Sequence, residues 1–173
     1  MSARIMSPTE AFVRNWLPLV VWCSLIMVES TDLMSGQHTG FFLLRFFRLF
    51  HLGYPGYWVW TLNFILRKAG HVIGYAMTSV LFFRAYRNHL RWRHGLSLNS
   101  LWSDGWDWCW RTQWAVFGVI FTFLVATADE LHQMTIPSRS GTWHDVALDT
   151  SAAIVAQLLL RKWIARQHEA TAS

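Results

Sequence analysis

The chain has 173 residues, of which 53% are hydrophobic, 16% aromatic and only 14% charged, with a formal net charge of +5. Soluble domains carry about 25% charged residues, and twelve tryptophans are several times ordinary usage. Such a composition excludes a disordered chain, a collagen-like fibre and a disulfide-stapled mini-protein, and it argues against a soluble globular enzyme.

Four segments are expected to form membrane-crossing helices, since a bilayer core of about 30 Å needs roughly 20 helical residues. The first covers about residues 15–34 through the apolar run 16–28. It is longer than a signal-peptide core and lacks a small-residue cleavage site, so it is read as a retained helix. Cys23 lies inside this run as apolar filling. With Cys109 it makes only two cysteines, too few for a zinc cage or a disulfide framework.

The first loop contains FFLLRFFRLFHLGYPG, residues 41–56, with Arg45, Arg48 and His51 along one side of a helix. That pattern predicts a surface or partly inserted helix ended by Gly53, Pro55 and Gly56. The alternative is a fifth span, which would hold two arginines at a cost in mid-bilayer. The second span is expected over 66–87. The third is expected over 112–134, where 114–128 carries no charge, and the fourth over 143–163. Trp102, Trp106, Trp110 and Trp114 recur every four residues before span three. They predict an amphipathic helix on the inner surface, with packing against the spans as the alternative.

Charge orients the bundle. With four crossings, ten Lys and Arg fall on the side of the two termini: Arg4, Arg14, Arg84, Arg87, Arg91, Arg93, Arg111, Arg161, Lys162 and Arg166. Five fall on the other side: Arg45, Arg48, Arg67, Lys68 and Arg139. The excess predicts cytoplasmic termini. Trp16, Trp58, Trp60, Trp114, Trp143 and Trp163 sit near the span ends, where indoles favour the half-wet layer. Arginines that flank apolar runs in this way do not make a nucleic-acid surface.

Ionisable residues in or at the mouth of a span are expensive and call for an explanation. Lys68, His71 and Tyr75 share one helical stripe at the start of span two. Asp129, Glu130, His132 and Gln133 close span three. Ser138, Arg139 and Ser140 occupy the third loop, and His144, Asp145 and Asp149 open span four. Glu29 and Asp32 sit at the outer end of span one. The topology brings all of these to the outer membrane boundary, as a polar pocket or as a structural ion network. In the network reading, Asp129 or Glu130 pairs with Lys68 or Arg139, and Asp145 holds the loop arginine. His71, His132, Asp129 and Asp145 form a loose set of metal-ligand types, but no compact ligand motif is present and no metal or cofactor is expected. No GxSxG elbow, phosphate loop or dinucleotide fingerprint occurs.

The order Asp129-Glu130-x-x-Gln133, Pro137, Arg139, Asp145, preceded by Lys68-x-x-His71-x-x-x-Tyr75, resembles the signature of VanZ-like membrane proteins. The resemblance covers about residues 10–163, most specifically 68–75 and 129–152. It departs from the pattern where Asp149 and Ala152 stand in place of Asn and Gly. The resemblance implies a bacterial multi-pass plasma-membrane protein. The family's namesake is linked to reduced susceptibility to teicoplanin, a glycopeptide that acts on cell-wall precursors outside the membrane. No established reaction comes with it. The resulting expectation is an all-α, four-span bundle with interfacial helices: a cytoplasmic segment 1–14, a membrane domain 15–163 and a cytoplasmic tail 164–173. Its outward pocket would contain Lys68, His71, Tyr75, Asp129, Glu130, Gln133, Arg139, Asp145 and Asp149. The expected partners are membrane lipids and a lipid-linked wall precursor. An intramembrane enzyme acting on a lipid-linked substrate is the alternative, with His71 or His132 as base beside an acidic partner, or with metal-assisted chemistry. A transporter ranks behind both because no internal repeat is visible.

Overall fold

The computed structural model describes residues 7–51, 56–97, 100–102, 104–139 and 141–172. Arg4, Gly53, Pro55 and Ser140, which entered the expectations above, lie outside them. The described chain is all-α, with no strand among those residues. It comprises α1 (Pro8–Glu29), a 3-10 turn (Asp32–Met34), α2 (Gly36–Leu49), α3 (Gly56–Arg93), α4 (Trp106–Cys109), α5 (Thr112–Met134) and α6 (Trp143–Ala172). A capping box starts α1, where the Glu10 N–H donates to the Ser7 hydroxyl and the Ser7 N–H donates to the Glu10 carboxylate. The bounds of α5 match the expected third span. Helix α3 starts ten residues before the second expected span, and α6 runs nine residues past the fourth, with no break where the tail was expected.

By length and apolarity, two helical stretches suffice to cross a membrane: Pro8–Glu29 and Trp106–Met134. Helices α3 and α6 have 38 and 30 residues, or about 57 and 45 Å at 1.5 Å per residue. Length is therefore ample, and it is their polar side chains that keep them outside that class. Helix α2 has 14 residues, about 21 Å. That is too short to cross a 30 Å core, so the fifth-span alternative has no support in the described helix.

Many polar side chains share the interior with the apolar core, and many large apolar ones lie outside. Asn15, Thr78, Thr122 and Gln157 are buried between helices, while Leu124 and Leu159 are 58% and 61% exposed on the outside. Thr78 and Thr122 bond back to carbonyls of their own helices, while other inward polar groups tie helices together. The Trp22 indole N–H donates to the Gly74 carbonyl at 2.9 Å, joining α1 to α3. The Gln157 amide on α6 donates to the Ser79 carbonyl at 2.9 Å and to its hydroxyl at 2.8 Å. Gly118 on α5 permits that crossing, because a Cβ there would stand 3.0 Å from the Ser79 carbonyl oxygen and 3.2 Å from the Gln157 amide nitrogen.

The tryptophan series does not form one surface helix. Trp106 lies in the short helix Trp106–Cys109, Trp110 is extended, and Trp114 belongs to α5. The rings instead turn inward, as in the packing alternative. Trp110 stacks on Phe83 with centroids 4.8 Å apart, and Trp114 meets the same ring edge-on. Ile164 completes this cluster, which is why α6 continues past residue 163. Burying large aromatic rings outweighs leaving them at an interface. Nearby, the buried Arg91 pairs with Asp104 and donates to the Ser97 carbonyl.

Candidate functional site

The opposite end of the bundle gathers five pieces of chain. These are the C-terminus of α1 with its 3-10 turn, the start of α2, residues 60–75 of α3, the end of α5, and the loop leading into α6. Ile26, Tyr75, Ala126 and Val146 pack as an apolar layer beneath them. Thr142 caps α6, its hydroxyl accepting the Asp145 N–H at 3.3 Å.

The 3.6-residue period aims Lys68, His71 and Tyr75 at three different carboxylates. Lys68 forms an ion pair with Asp145. His71 Nδ1 lies 3.3 Å from Asp149 Oδ2, and Asp149 is fully buried. The Tyr75 hydroxyl donates to Asp129 Oδ2 at 2.7 Å, and the Gln133 amide donates to the same oxygen at 2.9 Å. Glu130 Oε2 accepts the Thr142 N–H at 2.7 Å.

Arg139 has a different task from the expected one. It pairs with neither Asp129, Glu130 nor Asp145. Its Nη2 instead donates to the carbonyls of Glu29 and Thr31, the latter at 2.7 Å. It thereby satisfies acceptors that the end of α1 leaves open. Ser138 donates to Asp32 alongside it. Partial burial draws the Arg139 guanidinium below its ordinary pKa, opposed mainly by the nearby carboxylates of Asp129 and Asp32. An arginine remains a cation under such shifts. The loose metal set is also not one cluster. His132 Nδ1 lies 3.0 Å from the Ser30 hydroxyl, and Asp145 belongs to Lys68.

A cavity of about 360 Å³ opens among these groups, lined on its polar side by Arg67, Lys68, His71, Gln133, Arg139 and Asp145. A second cavity of about 310 Å³ shares Asn63, Arg67, His71 and Arg139 with the first and continues over Met34, Phe42, Leu43 and Leu66. Tyr75 and Asp129 line a third space of about 20 Å³ with His71 and Gln133. Glu130 and Asp149 stand behind the walls of all three. The first cavity therefore presents three fixed cations against one carboxylate, and that carboxylate is already engaged by Lys68.

Sequence reasoning missed Asn63 and Arg67 as wall residues. The signal was present, since 60, 63, 64, 67, 68 and 71 continue the same stripe at spacings of three and four. Placing the start of the span at residue 66 hid Asn63, because the helix begins at Gly56, whereas Arg67 fell inside the expected span and entered only the charge count. Asn63 also anchors α2, donating to the Gly36 carbonyl at 2.9 Å.

No curated protein and no solved structure matches the chain. A family model described as VanZ/LLP1 matches residues 15–165. That stretch contains all the residues of the polar end, the whole of Trp106–Met134, and Pro8–Glu29 from residue 15 onward. The chain belongs to the VanZ-like family, VanZ/LLP1.

Proposed function

We propose that this VanZ-like protein is a multi-pass plasma-membrane protein whose polar end binds the anionic head group of an envelope lipid or lipid-linked wall precursor. The observation that carries the reading is a pair of cavities that share Asn63, Arg67, His71 and Arg139 as wall. One is rimmed by Arg67, Lys68 and Arg139, and the other continues over Met34, Phe42, Leu43 and Leu66. An amphiphile needs that combination, with cations for the phosphate and an apolar wall for the first part of its chain.

In this reading α1, α3, α5 and α6 cross the bilayer and α2 lies at its outer face. The ten-to-five division of Lys and Arg favours cytoplasmic termini and an outward pocket. The apolar outer surfaces of the helices agree with immersion in lipid. An outward pocket also suits a family whose namesake is linked to an antibiotic acting on wall precursors.

Two measurements test the proposal. Native mass spectrometry of the detergent-purified protein is expected to retain phosphatidylglycerol or a polyprenyl phosphate in preference to zwitterionic phosphatidylcholine. Lys68→Gln should weaken that retention tenfold or more, since a hydrogen bond to a charged group contributes about 1.5–3 kcal/mol and Asp145 would be left facing the ligand. Equal retention of all three lipids would sink the head-group reading. Sidedness is read by labelling single cysteines at positions 100, 138 and 172 with a membrane-impermeant maleimide, after Cys23 and Cys109 are replaced by alanine. Only position 138 should react in intact spheroplasts. Reaction of position 138 only after lysis would reverse the topology.

A further inference from the structure

Beside the cationic cavity lie three buried carboxylates that form no ion pair with a lysine or arginine among the described residues, and only Asp149 has an imidazole, His71, against it. Asp129, Glu130 and Asp149 are each at most 2% exposed. Lys68 is committed to Asp145, and Arg139 to two carbonyls. Each of the three carboxylates uses one oxygen and leaves the other buried without a partner: Asp129 Oδ1, Glu130 Oε1 and Asp149 Oδ1. Unpaired buried carboxylate oxygens are costly, so the arrangement asks for a counter-charge.

We propose that His71, Asp129 and Glu130 form a divalent-cation site. One ligand atom from each lies within 4.8 Å of the other two. Ligands about 2.1 Å from a common ion stand at most about 4.2 Å apart, so small side-chain movements close the set. The engaged oxygens are already fixed. Tyr75 and Gln133 hold Asp129 Oδ2, and the Thr142 N–H holds Glu130 Oε2, leaving one oxygen of each free for a metal. His71 is prepared in the same way. Its Nδ1 faces Asp149, which leaves Nε2 as the coordinating nitrogen in the carboxylate–histidine–metal arrangement common around bound metals. A space of about 20 Å³ lined by His71, Tyr75, Asp129 and Gln133 adjoins the set, and a water-sized particle needs about 10–15 Å³. One imidazole and two carboxylates suit Mn²⁺ or Zn²⁺ and leave coordination positions open. Asp149, which stands where the resemblance pattern has Asn, becomes a positioning residue for His71. The site stands whether or not the larger cavity takes a lipid.

The test uses the full chain, purified in detergent, stripped with EDTA, dialysed and then incubated with MnCl₂ or ZnCl₂. Elemental analysis after desalting is expected to give about one ion per chain, with a saturable rise in melting temperature. Glu130→Gln and Asp129→Asn keep an acceptor oxygen for the existing hydrogen bonds, and each should weaken the ion by at least tenfold. Asp149→Asn should weaken it about tenfold through the orientation of His71, while Asp32→Asn, on an exposed turn, should leave it unchanged. Should a variant fail to fold, pulsed EPR of Mn²⁺ on the wild-type protein decides, because one imidazole nitrogen must modulate the signal. No retained ion, retention unaltered in Glu130→Gln, or a bound Mn²⁺ without nitrogen modulation would each overturn the site.

Discussion

Replacing Asp129 with alanine is expected to lower the melting temperature of the metal-free, detergent-purified protein by about 10 °C. Asp129 is the acceptor that joins Tyr75 on α3 to Gln133 on α5, at 2.7 and 2.9 Å. Tyr75 and Gln133 are 2% and 4% exposed, so water does not replace the lost oxygen. A buried donor left without a partner costs about 1–3 kcal/mol, and two are orphaned at once. For a chain of this size each kcal/mol moves the midpoint by about 2–4 °C. Asp129→Asn retains an acceptor oxygen and should stay within about 3 °C of wild type. Adding Tyr75→Phe to the alanine variant removes one orphan and should recover part of the loss. Differential scanning fluorimetry of the four proteins reads the cycle. Wild-type melting of Asp129→Ala would mean that this carboxylate does not hold the two helices together.

The second large effect is expected at Gly141, in the loop that joins α5 to α6. A Cβ at this position would lie 2.3 Å from the Glu130 carbonyl oxygen and 2.8 Å from Met134 Cγ. The first obstacle is helix backbone and cannot swing aside, so the loop itself must lift. Overpacking of this kind costs about 1–3 kcal/mol. Lifting the loop also carries away the adjacent Thr142 N–H from Glu130 and disturbs Arg139, which reaches back to α1. Gly141→Ala should therefore melt about 5 °C lower and lose both the lipid preference and the ion. Gly40→Ala is the instructive contrast. Its Cβ would come even closer to a neighbour, 2.1 Å from the Trp60 ring, but that neighbour is a 40% exposed side chain and not helix backbone. The nominally worse clash should cost less. Gly141→Ala with wild-type melting and ligand retention would refute the account of the loop as a rigid seam.

Helical class was plain in the residues because apolar run length is a local property. The bounds of α5 could be read directly, since a charge-free stretch ends in an abrupt polar cluster. The start of α3 could not. Gly56 to Ile65 mixes Tyr57, Trp58 and Trp60 with Gly56, Thr61 and Asn63, and hydropathy alone does not distinguish a helix at a membrane surface from a loop. The tryptophan series misled for a related reason. A four-residue spacing states that the rings could share a helical face, but not whether a partner such as Phe83 waits for them elsewhere in the bundle.

The same division runs through the polar end. The amino-acid order alone determined that the chain is helical and apolar, that His71, Asp129 and Asp145 lie at helix ends, and which family signature they make up. These follow from spacing along a helix and from the cost of charge near lipid. Only the tertiary structure decided the partners. Lys68 went to Asp145, His71 to Asp149 and Tyr75 to Asp129, while Arg139 took backbone carbonyls and not a carboxylate. It also decided that Asp129 and Glu130 keep one unengaged oxygen each. Which acid meets which base depends on the rotation and depth of one helix against another. Those are set by contacts such as Gly118 on Ser79 and Gly141 on Glu130, where atoms from distant parts of the chain meet at van der Waals range.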